Sequence, residues 1–132
     1  MACILRYLHN SKPVNSNHKK TGPLAPDEID FSFVTCIKLI QAQSYKSEIA
    51  ALQQKQPLPS KSPLLSLRPF LDSVGLLRVG GRLQNAPIPF DAKHQMLLPR
   101  QHHFVKSYIR YVHLRLLHAS SQTVMAEIRQ RI

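Results

Sequence analysis

No regular helix or inner strand can run through residues 56–63. Pro57, Pro59 and Pro63 each lack an amide donor and hold the preceding residue away from helical geometry. Pro87 and Pro89 impose a second stiff stretch, and across the chain 10 prolines stand against only 4 glycines. The 132 residues must therefore fold as short elements between rigid connections.

Upstream of the first break the apolar pattern is helical. Residues 3–9 read as a short helix with Ile4, Leu5 and Leu8 on one side, followed by a polar linker over residues 10–22. Pro23 and Pro26 bracket the next helix start, where Asp27, Glu28 and Asp30 complement the amino-terminal dipole. Ile29, Phe33, Cys36 and Ile40 recur at helical spacing and predict one apolar stripe, with Cys36 as a small core residue. A second helix is expected over residues 46–55, burying Ile49 and Leu52.

Between residues 64 and 99 the texture changes. Phe70-Leu71, Leu76-Leu77-Arg78-Val79 and Met96-Leu97-Leu98 are short apolar runs separated by turn signals at residues 72–75 and 80–81 and a stiff loop at residues 85–89. This pattern predicts a small antiparallel sheet. Gly80-Gly81-Arg82 is too short a glycine pattern to cradle phosphate and reads as a turn or bulge. Beyond residue 100, Val105, Tyr108, Ile109, Val112 and Leu116 form an amphipathic stripe. After it come a break at residues 119–121, a serine placed to cap, and a last helix with Val124 or Met125, Ile128 and Ile132 as its apolar side. The expected fold class is α+β, in four stretches. Residues 1–24 are a short helix and polar linker, 25–62 a helical linker region, 63–100 a small β region, and 101–132 a helix-turn-helix-like pair.

A net charge of +11 attracts polyanions, nucleic acid first among them, although a solvated basic surface would give the same composition. Arg100, Lys106, Arg110, Arg115, Arg129 and Arg131 are the candidate nucleic-acid contacts, opposed in that stretch only by Glu127. Two cysteines, Cys3 and Cys36, argue against a disulfide scaffold and fit a reducing, intracellular compartment. No apolar run is long enough for a membrane span. His113 and His118 have the spacing of a zinc half-site. Residues five apart on a continuous helix diverge by about 140°, so the pair can meet one ion only if the helix ends near Leu117. A closed structural site needs four ligands, and no cysteine stands near the pair; His94, His102 and His103 are other imidazoles, the last two more simply first-turn residues. Asp72, Asp91 and Glu127 are spaced like the acids of polynucleotidyl transferases, but two fall in turns and one on a basic helix. No other catalytic set is present, so no enzyme activity is expected.

Several stretches in register resemble the Pol polyproteins of BEL/Pao-type LTR retrotransposons. They are residues 62–83, Lys93-His-Gln-Met-Leu-Leu-Pro99, Val112-His-Leu-Arg-Leu-Leu-His118-Ala, Leu24-Ala-Pro-Asp-Glu28 and Ser47-Glu-Ile-Ala-Ala-Leu52. The resemblance covers nearly the whole chain. It implies that residues 101–132 open an integrase H2C2 zinc-binding domain, with His113 and His118 matching its histidine ligands. The family's cysteine pair and catalytic acids lie further on, so the expectation is a non-catalytic fragment of a protein that serves DNA integration. Zinc is then the parent family's cofactor, not expected to be held tightly by this chain. Nucleic acid, self-association or completion by another chain are the implied partners, and the nucleus is the implied location. Three positions depart from the resembled family: Ser120 stands where the family usually has glycine, a loss that costs about 1 kcal/mol if the position is left-handed, Gln95 replaces a proline, and Ala25 a helix-capping threonine.

Overall fold

The computed structural model describes residues 1–13, 18–81 and 87–131, the last without its side chain. The architecture is α+β, a mixed helical fold with one two-stranded antiparallel sheet. The chain divides into two compact units, residues 1–39 and 40–132.

The first unit is built from α1 (Ala2–Asn10) and the greater part of α2 (Pro26–Ser44). Glu28 joins them. Its carboxylate receives Arg6 Nε at 3.0 Å and Arg6 Nη2, and also accepts the Ala25 amide at 3.1 Å. That last bond is half of a capping box, in which the third helical residue reaches back to the N-cap amide. Alanine at position 25 has no side-chain oxygen to return it. Arg6 also donates to the Gly22 and Pro23 carbonyls, at 2.6 and 3.0 Å, and Asn10 pairs with the Lys20 backbone in both directions at 2.9 Å. The polar linker is thereby closed on α1, while Val14, Asn15, Ser16 and Asn17 lie outside the described residues.

The Glu28 cluster carries a pH prediction. Hydrogen bonds from Arg6, then the Ala25 amide, and the charges of Arg6 and Lys20 outweigh partial burial and hold its carboxyl down at about 2. A depressed acid stabilises the fold above its ordinary value of 4.5, and this contribution is lost as pH falls towards 2. The Arg6 side-chain NεH resonance should therefore persist at pH 4.5 and collapse near pH 2. A signal lost already at pH 4 would show that Glu28 is not so held.

The apolar stripe of α2 is turned from its expected place. Ile37 and Ile40 are buried, but Ile29 is 47% exposed and Phe33 and Cys36 only half-buried. Polar residues with internal partners share the buried side: Glu28, Ser32, whose hydroxyl donates to the Ile29 carbonyl at 2.7 Å, and Gln41. Counting apolar residues alone missed them. In α1, likewise, Leu5 is half-buried while Ile4 and Leu8 are exposed.

In the second unit α3 (Lys46–Gln53) follows, with Glu48 buried and Ile49 and Leu52 half-buried. Strands β1 (Phe70–Leu71) and β2 (Leu77–Arg78) pair antiparallel with Phe70 opposite Arg78 and Leu71 opposite Leu77. Arg78 also bridges Met96, so the three apolar runs meet as predicted. The turn between the strands is closed by Asp72, whose Oδ1 accepts the Val74 and Leu76 amides at 3.1 and 2.8 Å, and by Gly75 at φ 79°. Leu64, Leu77 and Leu97 form the core, with Tyr45, Leu52, Leu71 and Val79 packed on it. Gln41 stitches this core. Its amide donates to the Leu77 and Leu97 carbonyls at 2.9 and 2.8 Å and accepts the Leu77 amide at 2.7 Å.

A short helix, α4 (Phe90–Lys93), stands just after the proline-stiffened loop, where none was expected. Asn85 and Ala86 of that loop, and Arg82 of the Gly-Gly-Arg turn, lie outside the described residues. Helices α5 (His103–Arg115) and α6 (Ser121–Arg131) form an adjoining pair, with Val105, Val112 and Val124 buried. Of the predicted α5 stripe, Tyr108 and Leu116 are half-buried and Ile109 is 42% exposed. In α6, Val124 rather than Met125 faces inward, Ile128 is half-buried, and Ile132 lies outside the described residues.

Candidate functional site

The site is set by how α5 begins and ends. His102 is its N-cap, one residue ahead of the first turn in which it was expected: Nδ1 accepts the Phe104 amide at 3.2 Å. At the other end the helix stops at Arg115, and Leu117 and His118 take positive φ of 53° and 62°. The His118 amide bonds the His113 carbonyl at 3.0 Å and the Leu117 amide bonds the Leu114 carbonyl at 3.1 Å. Those two bonds make a Schellman motif, in which position 117 is the one that favours glycine. Leucine there is 88% exposed and gains little packing to offset a left-handed backbone that costs about 1–2 kcal/mol. The left-handed backbone thus falls at Leu117 and His118, and Ser120 has no positive φ. Ser120 caps α6 instead, its Oγ accepting the Thr123 amide at 3.4 Å.

This helix end folds His118 back onto His113. His118 Nδ1 and His113 Nε2 are 3.1 Å apart, and the ring centroids 4.9 Å. A proton can sit between two such nitrogens, one ring donating to the other. So can a metal ion: ligands at 2.0–2.1 Å from a tetrahedral zinc lie about 3.3 Å from one another. His118 is exposed and His113 half-buried, so the pair opens to solvent. Glu127 of α6 receives Arg115 of α5 in an exposed ion pair between the two helices. Among the described residues no group of three or more His, Cys, Asp or Glu side chains is arranged to hold a metal. His94 is buried elsewhere, its Nδ1 donating to the Val79 carbonyl at 3.0 Å and its ring edge-on to Phe70.

The three acids spaced like a nuclease triad are engaged otherwise. Asp72 and Asp91 both bind Arg78, at 2.6 and 2.8 Å, and that guanidinium is buried, with Phe90 beneath it at 5.1 Å. Glu127 pairs with Arg115. Two of the acids do converge, as a triad's would, but on a cation of the protein itself. Arg78 escaped notice in the sequence because a charge in a hairpin ordinarily faces solvent.

Of the candidate nucleic-acid contacts, Lys106 and Arg110 lie one turn apart on the exposed side of α5, and Arg100 and Arg129 are exposed. Arg115 is tied to Glu127, and the side chain of Arg131 lies outside the described residues. In the first unit a cleft of about 440 Å³ is lined by Leu5, Arg6, His9, Lys20 and Phe31 among others, but the Arg6 guanidinium there is already satisfied by Glu28 and two carbonyls. Among the described residues no helix is long and apolar enough to cross a membrane.

No protein-family model matches the chain, and no curated protein or solved structure matches it either.

Proposed function

We propose that this chain is a non-catalytic portion of a retroelement Pol protein of the integrase type, and that α5 and its carboxy-terminal turn are the histidine half of an H2C2 zinc-binding unit. The observation that carries the reading is the 3.1 Å approach of His118 Nδ1 to His113 Nε2 across a left-handed helix end. Backbone strain of this kind persists only where its surroundings enforce it, and it gathers at functional sites. Asp72, Asp91 and Glu127 each pair with an arginine and are not gathered around one another as a metal-binding triad would be.

Two imidazoles alone bind zinc weakly and cannot organise a fold, so full affinity requires two more ligands, thiolates in this class of site. Titrating zinc into the protein should shift the ring resonances of His113 and His118 together, with weak affinity, and His113→Ala should abolish the His118 shift. Rings that stay unmoved would end the half-site reading. So would zinc retained through dialysis against a chelator, since that requires a complete ligand set.

A second reading, nucleic-acid binding, is favoured by the exposed Lys106 and Arg110 on a chain of net charge +11. Phosphate neutralisation makes such binding fall steeply with salt, by about 0.9 log units per log unit of salt for each contact. The double variant Lys106→Ala, Arg110→Ala should reduce that slope by about two contacts' worth. Duplex DNA affinity that ignores salt would remove this reading.

A further inference from the structure

The proline-broken segment at residues 56–63 holds a hydroxyl in an unusual setting. Ser62 precedes Pro63, and both Lys61 and Pro63 are exposed. Its Oγ donates to Glu48 Oε1 at 2.8 Å and accepts the Leu64 amide at 3.3 Å. Glu48 is only 7% exposed and accepts a second hydroxyl, Ser47 Oγ, at 2.8 Å. Two residues after Ser62, Leu64 enters the core against Leu77 and Leu97. The Ser62–Glu48 contact is therefore a clasp that ties the proline segment to α3 and seats Leu64. Burial works against the Glu48 charge, but the Ser62 and Ser47 hydroxyls and its own amide outweigh it and hold the carboxyl below its ordinary range.

We propose that Ser62 is a site of phosphorylation by a proline-directed serine/threonine protein kinase, and that the phosphate opens the clasp with Glu48. Pro63 biases Ser62 towards the extended backbone in which a substrate hydroxyl is presented to such an enzyme. The Ser62 oxygen attacks the γ-phosphorus of the kinase's bound ATP. The bond from that phosphorus to the bridging oxygen breaks, ADP leaves, and the hydroxyl proton passes to the kinase's base. The product has lost the hydrogen that Glu48 accepted. It carries a charge of about −1.5 to −2 against a buried carboxylate, which repels it. The segment must then swing outward, drawing on the packing of Leu64. This coupling does not depend on the zinc or nucleic-acid readings.

The test is to incubate the whole protein with a proline-directed kinase and magnesium ATP, map the phosphate by mass spectrometry, and melt the product. One phosphate on Ser62 is expected, with none on Ser62→Ala treated alike. The phosphorylated protein should melt about 5–10 °C lower. In Glu48→Gln, whose neutral amide cannot repel the phosphate, most of that drop should vanish. Amide exchange at Leu64 gives a reading that needs no variant, and it should speed up on phosphorylation. Absence of phosphate on Ser62 overturns the site. A melting point and a Leu64 exchange rate both unmoved by the phosphate overturn the clasp, as does an equal drop in Glu48→Gln.

Discussion

Replacing Gln41 with leucine should lower the unfolding free energy of residues 40–132 by about 4 kcal/mol, read from the midpoint of a urea titration. The side chain is 1% exposed and makes three hydrogen bonds to strand backbone. Leucine is of similar size and opens no large cavity, so the loss is almost wholly polar. The Leu77 carbonyl keeps a partner, the Leu97 amide at 3.0 Å. The Leu77 amide and the Leu97 carbonyl lose the Gln41 bonds in a dry core, and each orphaned group costs about 1–3 kcal/mol. Domains of this size are stable by about 5–15 kcal/mol, so the variant would be left near the edge of folding. Gln41→Glu is a second probe of the same site, since its carboxylate can accept the Leu77 amide but cannot donate to either carbonyl. A leucine variant within about 1 kcal/mol of the parent would mean that water or a relaxed backbone replaces the amide.

Gly80→Ala should cost about 3 kcal/mol or more, while Gly81→Ala, one residue on, should change stability by less than about 0.5 kcal/mol. A Cβ on Gly80 would meet the Arg68 carbonyl oxygen well inside van der Waals contact, whereas a Cβ on Gly81 would meet open space. The obstacle is backbone and cannot rotate away. The Gly80 amide bonds that same carbonyl at 3.1 Å, and Arg68 is itself held at a positive φ of 45°. Moving the carbonyl aside therefore sacrifices the hydrogen bond and disturbs the turn that leads into β1. Neither glycine has a positive φ, so the contrast isolates close approach from conformational freedom. Equal melting points for the two variants would show that the Arg68 peptide yields freely.

The hairpin was legible in the sequence because its signals are local. Phe70-Leu71 and Leu76–Val79 flank an aspartate that closes an Asx turn and a glycine that supplies its positive φ. The start of α5 was legible to within a residue, since His102 and His103 stand just ahead of an apolar stripe that begins at Val105, but the capping role of His102 was not. The polar core was not. A glutamine on a helix reads as a solvated residue, and the backbone groups that Gln41 serves lie 36 and 56 positions away. Arg78 was hidden likewise, because Asp91, 13 positions on, reads as a loop acid. At the histidine pair the spacing carried the right requirement, that the helix end before His118. It could not say that the turn would be made by Leu117, since nothing in a leucine announces a left-handed backbone.

The separations that hid Gln41 also order events in time. The α5–α6 pair joins neighbours in the chain, so little loop entropy opposes its closure. Gln41 can find the Leu77 and Leu97 backbone only after loops of 36 and 56 residues have closed. Its three bonds therefore belong to the late side of the folding barrier. In Gln41→Leu the lost stability should surface mainly as faster unfolding, with the refolding rate little changed. The glutamine acts as a latch on a fold that has already formed, and it sets how long the native state lasts more than how fast it is reached.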